Sequence, residues 1–386
     1  MSSWKECKLG DFAEIKGGKR LPKGELLVTE KTPHPYIRIT DFNGHKINLS
    51  AIQYVTEEVQ KSISRYIVNK QDIIISNVGT IGLCAKIPDE LDNANLTENC
   101  IKLVFDKNKI DTNFLYYHLI SPDTQDLISG LDVGSTQPKL PIYNIEKIDI
   151  SLPPLEEQKA IAEILSSLDD KIDLLHRQNQ TLESLAQTLF RQWFIEEAKE
   201  EWEVGTLGEV IEIFDNKRIP LSKMERDKMK DGELYPYYGA AQIMDYVNDF
   251  IFDGEYILMG EDGTVRTDEG YPILQYATGK FWVNNHTHVI QAKEPYSNFF
   301  IWNYLAKKNI DEIVTGAVQP KINQGNLKSL DFPQYPLDLI QAFNEQSQAF
   351  FEKINQNKKQ IQTLENLRDT LLPKLLSGEV RVKFDN

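Results

Sequence analysis

The chain repeats itself, and this repeat limits the folds that it can adopt. Two sets of residues recur without a gap, the first 198 positions later and the second 182 positions later. The first set joins Trp4, Leu9, Gly10, Ile15, Lys19, Arg20 and Pro22 to Trp202, Leu207, Gly208, Ile213, Lys217, Arg218 and Pro220. The second set joins Gly134, Gln137, Pro138, Lys139, Asn144, Pro154 and Leu155 to Gly316, Gln319, Pro320, Lys321, Asn326, Pro336 and Leu337. Because the shift falls from 198 to 182, the second copy lacks 16 residues in its interior. The two copies share their outer frame and differ in their interiors. This pattern predicts one scaffold that was duplicated to present two different surfaces.

The length and composition of the chain indicate several domains in a reducing compartment. At 386 residues, of which 41% are hydrophobic, the chain can form at least two modules that each bury a core. Its three cysteines, Cys7, Cys84 and Cys100, lie far apart, unlike those of disulfide frameworks or zinc sites. The sequence has neither an apolar leader nor a stretch of about 18 apolar residues. We therefore expect a soluble, cytoplasmic protein.

Each copy opens with a module in which short strands alternate with polar turns. Apolar runs at residues 36–39, 73–75 and 101–105 are typical of strands. Short helices are indicated at residues 113–120 and 297–306, and we expect their aromatic side chains in the core. The pattern predicts two α/β (α+β) modules, over residues 1–150 and 199–334.

Each copy closes with a long helix that begins after a proline, over residues 151–198 and 335–380, and a tail covers residues 381–386. Apolar residues in both helices alternate steps of four and three, which is the spacing of a coiled-coil seam. We expect the helices to pack as an antiparallel coiled coil with a pseudo-twofold axis and one module at each end. Two polar seam positions, Asn179 and Asn357, would fix the register at some cost in stability. The alternative is that each helix lies on its own globular core. The first seam consists of Ile161, Leu165, Leu168, Ile172, Leu175, Asn179, Leu182, Ala186, Leu189 and Trp193. The second seam consists of Phe343, Ser347, Phe350, Ile354, Asn357, Ile361, Leu364, Arg368, Leu371 and Leu375.

Three motifs carry a resemblance to a known family. They are Ser-Leu-Pro-Pro-Leu-Glu-Glu-Gln-Lys-Ala-Ile-Ala at residues 151–162, the Trp-Leu-Gly opening, and Gly-Ser-Thr-Gln-Pro-Lys at residues 134–139. With these motifs the chain resembles the specificity subunits of type I restriction-modification systems over nearly its whole length. The second helix departs from the pattern, because it keeps only Pro336 and lacks the Glu-Glu-Gln run. We therefore expect the second helix to hold its docking partner less tightly.

The resemblance implies a division of labour between this chain and its partners. Each module would be a target-recognition domain that reads half of a split double-stranded DNA sequence. The helices would bind two modification subunits, which supply S-adenosylmethionine and adenine methyltransfer. Restriction subunits, which use ATP and Mg²⁺, would join that core. The chain itself would bind no cofactor or metal and would have no catalytic residue, and it lacks the Asn-Pro-Pro-Phe type of motif that adenine methyltransferases use.

The charge of the chain has to be reconciled with a DNA partner. A net charge of −15 argues at first against one, because phosphate binding needs Lys and Arg. Basic residues nevertheless gather at residues 16–23 and 217–230. The pairs Lys19-Arg20 and Lys217-Arg218 occupy matching positions of the repeat, which suits contacts with phosphates in both copies. The alternative is that they are ordinary surface charges in solvent. The candidates are Lys16, Lys19, Arg20, Lys139, Lys217, Arg218 and Lys321.

A Gly-Thr turn occurs in each copy, at residues 77–82 and 260–265, and looks like the turn of such recognition domains. It can be a loop that faces DNA or an ordinary hairpin turn. In the first interpretation the residues near phosphates or bases are Asn77, Thr80, Thr264 and Arg266. Base-reading residues should differ between the copies, and the candidates are Arg38, Asn43, Arg266, Gln275, Lys280 and Asn285.

Two other functions stay open from the sequence. A methyltransferase or nuclease would need an acidic site, and Asp89, Glu90 and Asp123 lack a convincing lysine and acid partner. A scaffold for proteins alone would bind no DNA. His286 and His288 should lie on one face of a strand, but no carboxylate cluster at ligand spacing accompanies them, so no metal site is predicted.

Overall fold

The computed structural model describes residues 4–134, 137–197, 202–316 and 319–382. The chain divides into two compact units. Unit 1 consists of Met1–Leu174 and Gln360–Asn386, and unit 2 consists of Leu175–Lys359. Each unit therefore contains one α/β module and a part of each long helix. No helix among the described residues is both long enough and apolar enough to cross a bilayer.

The module of unit 1 contains two four-stranded sheets. Its strands are β1 (Lys5–Lys8), β2 (Ala13–Gly17), β3 (Pro35–Ile37), β4 (Phe42–Asn43), β5 (Lys46–Ile47), β6 (Gln53–Tyr54), β7 (Ile67–Val68), β8 (Ile73–Ser76), β9 (Cys84–Lys86), β10 (Ala94–Leu96), β11 (Cys100–Phe105) and β12 (Asp149–Leu152). Its helices are α1 (Glu57–Ile63), α2 (Thr112–Ile120), α3 (Pro122–Gly130), α4 (Ile142–Ile145) and the long α5 (Leu155–Arg191), which it shares with unit 2. One sheet has the antiparallel order β2-β11-β8-β9, and the other has the order β6-β3-β10-β7 with β3 and β10 parallel. Strands β1 and β12 form a separate ribbon.

The apolar run of β8 follows from its position inside the first sheet. Ile73 and Ile75 belong to one core, which also contains Ile161 of α5, and Ile74 belongs to a second core with Ile37. Successive side chains of a strand point to opposite faces of the sheet. A strand that is covered on both faces is therefore apolar at every position.

The strand expected at residues 36–39 is shorter in the structure, because β3 ends at Ile37. The backbone N–H of Arg38 and its guanidinium each donate to the carboxylate of Asp41 at 2.7 Å. These bonds close a 3-10 turn over Ile39–Asp41. The Asp41 side chain is fully buried, so the charge of Arg38 compensates it inside the fold.

The module of unit 2 contains one six-stranded sheet. Its strands are β13 (Val204–Thr206), β14 (Ile211–Ile213), β15 (Tyr235–Tyr238), β16 (Ile243–Val247), β17 (Phe252–Gly260), β18 (Leu274–Val283), β19 (Thr287–Ala292) and β20 (Asp331–Pro333). Its helices are α6 (Leu207–Val210), α7 (Lys223–Asp227), α8 (Asn298–Leu305), α9 (Gln324–Lys328) and the long α10 (Leu337–Leu376), which it shares with unit 1. The sheet has the order β14-β19-β17-β18-β15-β16, and β13 pairs with β20. A π-helical turn, Gln192–Glu196, follows α5.

The two modules share a frame and differ in their interiors. The order β2-β11-β8-β9 in unit 1 corresponds to β14-β19-β17-β18 in unit 2, and the ribbon β1-β12 corresponds to β13-β20. In unit 1 the interior segments form a second sheet, whereas in unit 2 they add β15 and β16 to the edge of the first. The predicted internal repeat of two α/β modules is therefore confirmed.

The two long helices pack antiparallel within each unit. In unit 1, Arg381 after the end of α10 contacts Glu157 near the start of α5, and Arg368 contacts Asp169 at 2.9 Å. In unit 2 the same relation holds further along both helices. The Asn357 amide donates to Asn179 at 2.8 Å, and the rings of Phe343 and Phe190 lie 5.6 Å apart. Residue numbers rise along one helix as they fall along the other, which confirms the predicted antiparallel coiled coil.

The positions proposed for the helix seams are all buried or partly buried. The buried ones are Ile161, Leu165, Ile172, Leu175, Asn179, Ala186, Phe343, Ser347, Ile354, Asn357, Ile361 and Leu375. The partly buried ones are Leu168, Leu182, Leu189, Trp193, Phe350, Leu364, Arg368 and Leu371. Heptad spacing did not identify Phe351, which is buried because its ring packs against Tyr276 and Phe299 of the unit 2 module.

Two residues of the Glu-Glu-Gln run, Glu157 and Gln158, are buried in unit 1, whereas Glu156 is exposed. The expectation that the second helix holds its docking partner less tightly stays a prediction. The Glu157 side chain is 2% exposed and accepts hydrogen bonds from Arg381, at 2.5 and 2.8 Å, and from the indole of Trp4, at 3.0 Å. The buried Gln158 amide accepts from the backbone of Asp111 and donates to the carbonyl of Lys109. Glu157 therefore joins the two ends of the described chain, and Gln158 ties the start of α5 to the segment before α2.

Unit 2 replaces this polar arrangement with apolar contacts. Trp202, the counterpart of Trp4, packs edge-on against Tyr335 with ring centroids 5.3 Å apart. The repeat places Leu339 where unit 1 has Glu157, and Leu339 packs on the core of unit 2. An aromatic and aliphatic contact needs no carboxylate, which explains why the second helix lacks the run.

The buried Asn179–Asn357 pair yields a test of the helix interface. An Asn357→Leu variant leaves Asn179 without its donor, and we expect the free energy of unfolding to fall by about 1–3 kcal/mol. Replacing both asparagines by leucine removes both polar groups, so the double variant should regain most of that loss. Urea unfolding would measure both, with Gln356→Leu, at an exposed position of α10, as the control. Additive losses in the double variant would contradict a coupled pair.

The Glu157–Arg381 pair yields a second test. An Arg381→Ala variant leaves a buried carboxylate with only the Trp4 indole, and breaking such a pair costs about 3–5 kcal/mol when both groups are fully buried. Arg381 is 47% exposed, so water can reach the site, and we expect a loss near the lower limit. The control is Lys159→Ala, which removes the neighbouring exposed pair with Glu156 and should change stability little. Equal melting temperatures for the two variants would contradict the assignment.

Candidate nucleic-acid interface

In unit 1 the Gly-Thr turn lies against the loop that carries Gln-Pro-Lys. Loop pair 1 consists of residues 77–82 and 137–140. The backbone N–H of Gly79 donates to the carbonyl of Pro138 at 2.9 Å, and the N–H of Leu140 donates to the carbonyl of Asn77 at 2.8 Å. Two segments that are about 60 positions apart in the sequence are thus joined at both ends of the contact. Ser135 and Thr136 of the motif lie outside the described residues.

Unit 2 contains the same arrangement. Loop pair 2 consists of residues 261–265 and 319–322. The N–H of Gly263 donates to the carbonyl of Pro320 at 3.1 Å, and the N–H of Ile322 donates to the carbonyl of Glu261 at 2.8 Å. The repeat therefore reproduces the backbone geometry of the loops, while Asn77 in one copy is replaced by Glu261 in the other.

Each Gly-Thr turn needs its glycine. Gly79 has φ +84° and Gly263 has φ +77°, a left-handed backbone that costs other residues about 1–2 kcal/mol. The threonines that follow, Thr80 and Thr264, are exposed. The turns thus present short polar side chains to solvent from a defined backbone.

The two repeated arginines do not share one environment, contrary to the expectation that the pairs act alike in both copies. The Arg20 side chain is 80% exposed, and Glu98 is the partner in its ion pair. The Arg218 side chain is 12% exposed and donates to Glu261 and to the carbonyl of Thr287, both at 2.6 Å. The Arg20 side chain thus faces solvent, whereas Nε and Nη1 of Arg218 donate to groups of the protein.

Most other candidates in unit 1 are exposed. Lys16, Asn43, Thr80 and Lys139 are exposed at the surface, and Lys16 pairs with Glu14 at 3.0 Å. Lys19 is exposed and lies over the ring of Tyr66, with its nitrogen 5.8 Å from the centroid. Arg38 differs from them, because it donates to Gln53 as well as to Asp41. Arg38 is thus engaged within unit 1, which argues against a role in base reading.

The candidates in unit 2 divide in the same way. Thr264 and Asn285 are exposed, as are Lys217 over the Phe214 ring, Lys280 over the Phe250 ring, Arg266 paired with Asp311, and Lys321 at 3.2 Å from Glu261. Gln275 is partly buried, and its amide donates to the carbonyl of Gly239 at 2.8 Å. Gln275 thus supports a neighbouring loop, while the other side chains face solvent.

The two histidines lie in different environments and each has a carboxylate partner, which corrects the expectation of a shared strand face without acids. His286 is half exposed and pairs with Asp262 at 2.7 Å. His288 is buried, with Nδ1 at 2.6 Å from Asp215 and Nε2 at 2.9 Å from the carbonyl of Ile322. No spacing rule could have found this contact, because Asp215 lies on a different segment.

The atoms of Asp215, Glu261 and His288 lie within 4.8 Å of one another, so they form a possible cation site. The positive charge beside them belongs to Arg218, which lies 2.6 Å from Glu261 and 3.5 Å from Asp215. Burial opposes ionisation of Asp215, but its hydrogen bond and electrostatic interaction with His288, the backbone N–H of Val289 and the charge of Arg218 together outweigh this effect, so the pKa of the carboxyl lies below its usual value. The cluster is therefore compensated by the protein's own side chains.

Comparison with known proteins relates this geometry to one family. The model for the "type I restriction modification DNA specificity domain" matches residues 1–184 and 199–366. The MjaIX specificity subunit of Methanocaldococcus jannaschii is 26% identical over 98% of this chain and 94% of its own length. The MjaVIII specificity subunit of the same organism is 25% identical over 98% of this chain and 93% of its length.

A solved structure shares the fold. The crystal structure of the type I restriction-modification S subunit from M. genitalium superposes with a TM-score of 0.61 at 21% identity. The match covers 97% of this chain and 96% of that one. Since the family model matches both copies of the repeat, the chain belongs to the family of type I restriction-modification DNA specificity subunits.

Proposed function

We propose that this chain selects the DNA target of a type I restriction-modification complex and that each unit reads one half of a bipartite sequence. The observation that supports this most strongly is the loop pair, which is built twice with the same backbone bonds, while the residues before its glycine change from Asn77-Val78 to Glu261-Asp262. Because the backbone geometry is the same in both units, each unit presents a similar surface to DNA. Differences in the side chains then determine which bases each surface accepts. One chain would thereby specify two different half-sites.

Cations beside loop pair 1 support contact with phosphates despite the net charge of −15. The backbone of Lys19 donates to the carbonyl of Leu96, and the backbone of Asn77 donates to the carbonyl of Asn99. The segment with Lys19 and Arg20 therefore adjoins the loop pair through residues 96–99. Exposed cations at such a surface release counterions from DNA when they bind, so affinity should fall steeply with salt.

The long helices are the proposed docking surfaces for the partner subunits. Several large apolar side chains on them are exposed, although one face of each helix is already covered. These are Leu174 and Leu367 in unit 1, and Leu185 and Leu337 in unit 2. Modification subunits with S-adenosylmethionine would bind there, and restriction subunits with ATP and Mg²⁺ would complete the complex. The chain itself would supply recognition without catalysis.

The proposed domains follow from this division of roles. Residues 1–150 and 199–334 would be the target-recognition domains, residues 151–198 and 335–380 the spacer helices, and residues 381–386 a tail. Cys7, Cys84 and Cys100 are all free thiols, which is compatible with work in the cytoplasm.

The proposal is tested by co-expressing the chain with its modification subunit in a host without DNA methylation. Methylated adenines are then mapped by single-molecule sequencing, with the modification subunit alone as the control. We expect one motif with two short half-sites and a gap of fixed length. Absence of methylation from a soluble complex whose methyltransferase binds its cofactor would favour a scaffold instead. Methyl transfer or DNA cleavage by the purified chain alone would contradict the non-catalytic role.

The two glycines of the loop pairs allow the half-sites to be assigned. Gly79→Ala and Gly263→Ala each place a side chain on a left-handed backbone, with strain of about 1–2 kcal/mol. We expect the first variant to relax base preference in one half-site and the second to relax it in the other, in the same mapping experiment. The control is Gly232→Ala, where φ is +85° and a Cβ would meet open space outside the loop pairs. If both loop variants altered the same half-site, the one-unit, one-half-site assignment would be wrong.

A further inference from the structure

Unit 2 holds its loop pair with a cluster of largely buried ionisable side chains, and the described residues of unit 1 form no such cluster beside loop pair 1. The ionic cluster consists of Asp215, Arg218, Glu261 and His288. Their side chains are 3%, 12%, 13% and 1% exposed, respectively. In unit 1 the corresponding positions include Gly17 for Asp215, Arg20 for Arg218 and Asn77 for Glu261. The repeat therefore kept the arginine but placed it in two different environments.

The guanidinium of Arg218 joins three segments of unit 2. It donates to Glu261 in the Gly-Thr turn, and to the backbone carbonyl of Thr287 at the start of β19. Its Nε donates to the carbonyl of Asp215 at 3.1 Å, and another contact reaches the carbonyl of Asn285 at 3.3 Å. These bonds occupy Nε and Nη1, while Nη2 lies 3.5 Å from the Asp215 carboxylate, so the largely buried guanidinium is directed toward groups of the protein.

The other half of the cluster reaches the second loop of the pair. His288 connects Asp215 to the carbonyl of Ile322, which follows Lys321 in loop pair 2. Gln324 also donates to Asp215, at 2.7 Å. Both loops of loop pair 2 are therefore anchored to the same pair of opposite charges, Asp215 and Arg218.

Electrostatics make this anchor sensitive to the loss of one member. A buried carboxylate that loses its cationic partner is strongly destabilising, because water cannot replace the lost interaction. Without Arg218, Glu261 would keep its ion pair with the half-exposed Lys321. Movement of the carboxylate toward solvent would then lower its free energy. Such a movement displaces the Gly-Thr turn, since Glu261 lies within it, two positions before Gly263.

We propose that Arg218 is a positioning residue for recognition by unit 2, because it holds Glu261 and thereby fixes the Gly-Thr turn against which the DNA half-site is read. This inference rests on the proposed function of the loop pairs. Its counterpart Arg20 acts differently, as an exposed cation available to a phosphate. The two half-sites would thus depend on the two equivalent arginines in different ways.

The test uses the whole complex with an Arg218→Met variant, and methylated adenines are mapped as for the wild type. We expect the half-site that Gly263→Ala alters to become degenerate, with discrimination reduced roughly tenfold or more. The other half-site and the gap should stay unchanged. The matched control is Arg226→Met in the same unit. Arg226 is similarly buried and donates to Asp245 at 2.9 Å and to the carbonyl of Leu221 at 2.7 Å, away from loop pair 2.

A direct phosphate contact predicts a different result. Arg218→Met would then weaken binding to all sequences alike, lower the slope of log affinity against log salt by about one, and leave the motif intact. That result would overturn the proposal. The proposal would also be wrong if Arg218→Met gave the same motif as Arg226→Met. Reduced base discrimination in both half-sites would also overturn the proposal, since the cluster would then contribute to the stability of the whole chain.

A milder variant decides the question if Arg218→Met does not fold. Glu261→Gln keeps the size of the side chain and removes its charge, so no buried carboxylate is left uncompensated. We expect partial degeneracy in the same half-site, and an unaltered motif from a folded complex would overturn the proposal. A wild-type complex that methylates without any bipartite motif would instead contradict the proposed function itself, which separates the two failures.

Discussion

The antiparallel contact between the two long helices is the constraint on which both modules depend. In unit 1, Ile161 and Leu165 of α5 and Leu372 and Leu375 of α10 lie in the same core as the main sheet. In unit 2, Phe190 and Phe343 occupy the corresponding place beside Phe300 of α8. Each buried side chain of this size contributes about 1.5–3 kcal/mol, so neither module has a complete core without both helices. This explains why the compact units divide within the helices and not at their ends.

A shared frame with different interiors allows one fold to present two different surfaces. Packing restricts the strands β2-β11-β8-β9 and β14-β19-β17-β18, because they lie against the helices. The segments between them differ, and one copy builds a second sheet where the other extends the first. The loop pairs sit on the frame itself, and their backbone bonds are therefore the same in both units.

The placement of charge resolves the conflict between an acidic chain and a DNA partner. Several carboxylates are paired with cationic or imidazole side chains inside the protein. These pairs are Asp41 with Arg38, Glu157 with Arg381 and Asp215 with His288. Exposed cations such as Arg20 and Lys139 remain near loop pair 1. Net charge describes the whole molecule, whereas a phosphate senses charges within about 8–10 Å at physiological salt. Local arrangement therefore decides what the surface can bind.

Sequence by itself determined the repeat, the two long helices, the polar pair in their seam and the family, because these features are written in periodic spacing or in contiguous motifs. Only the tertiary structure decided the environment of individual charged groups. Arg20 and Arg218 occupy the same position of the repeat, yet the Arg20 side chain is exposed, whereas that of Arg218 is largely buried beside Glu261, 43 positions away. Likewise, Glu157 belongs to a motif that suggested docking, and its partners are Trp4 and Arg381 at the two ends of the described chain. Periodicity reports which face of an element is buried, but the partner of a buried charge is set by contacts between distant segments, and no local pattern contains them.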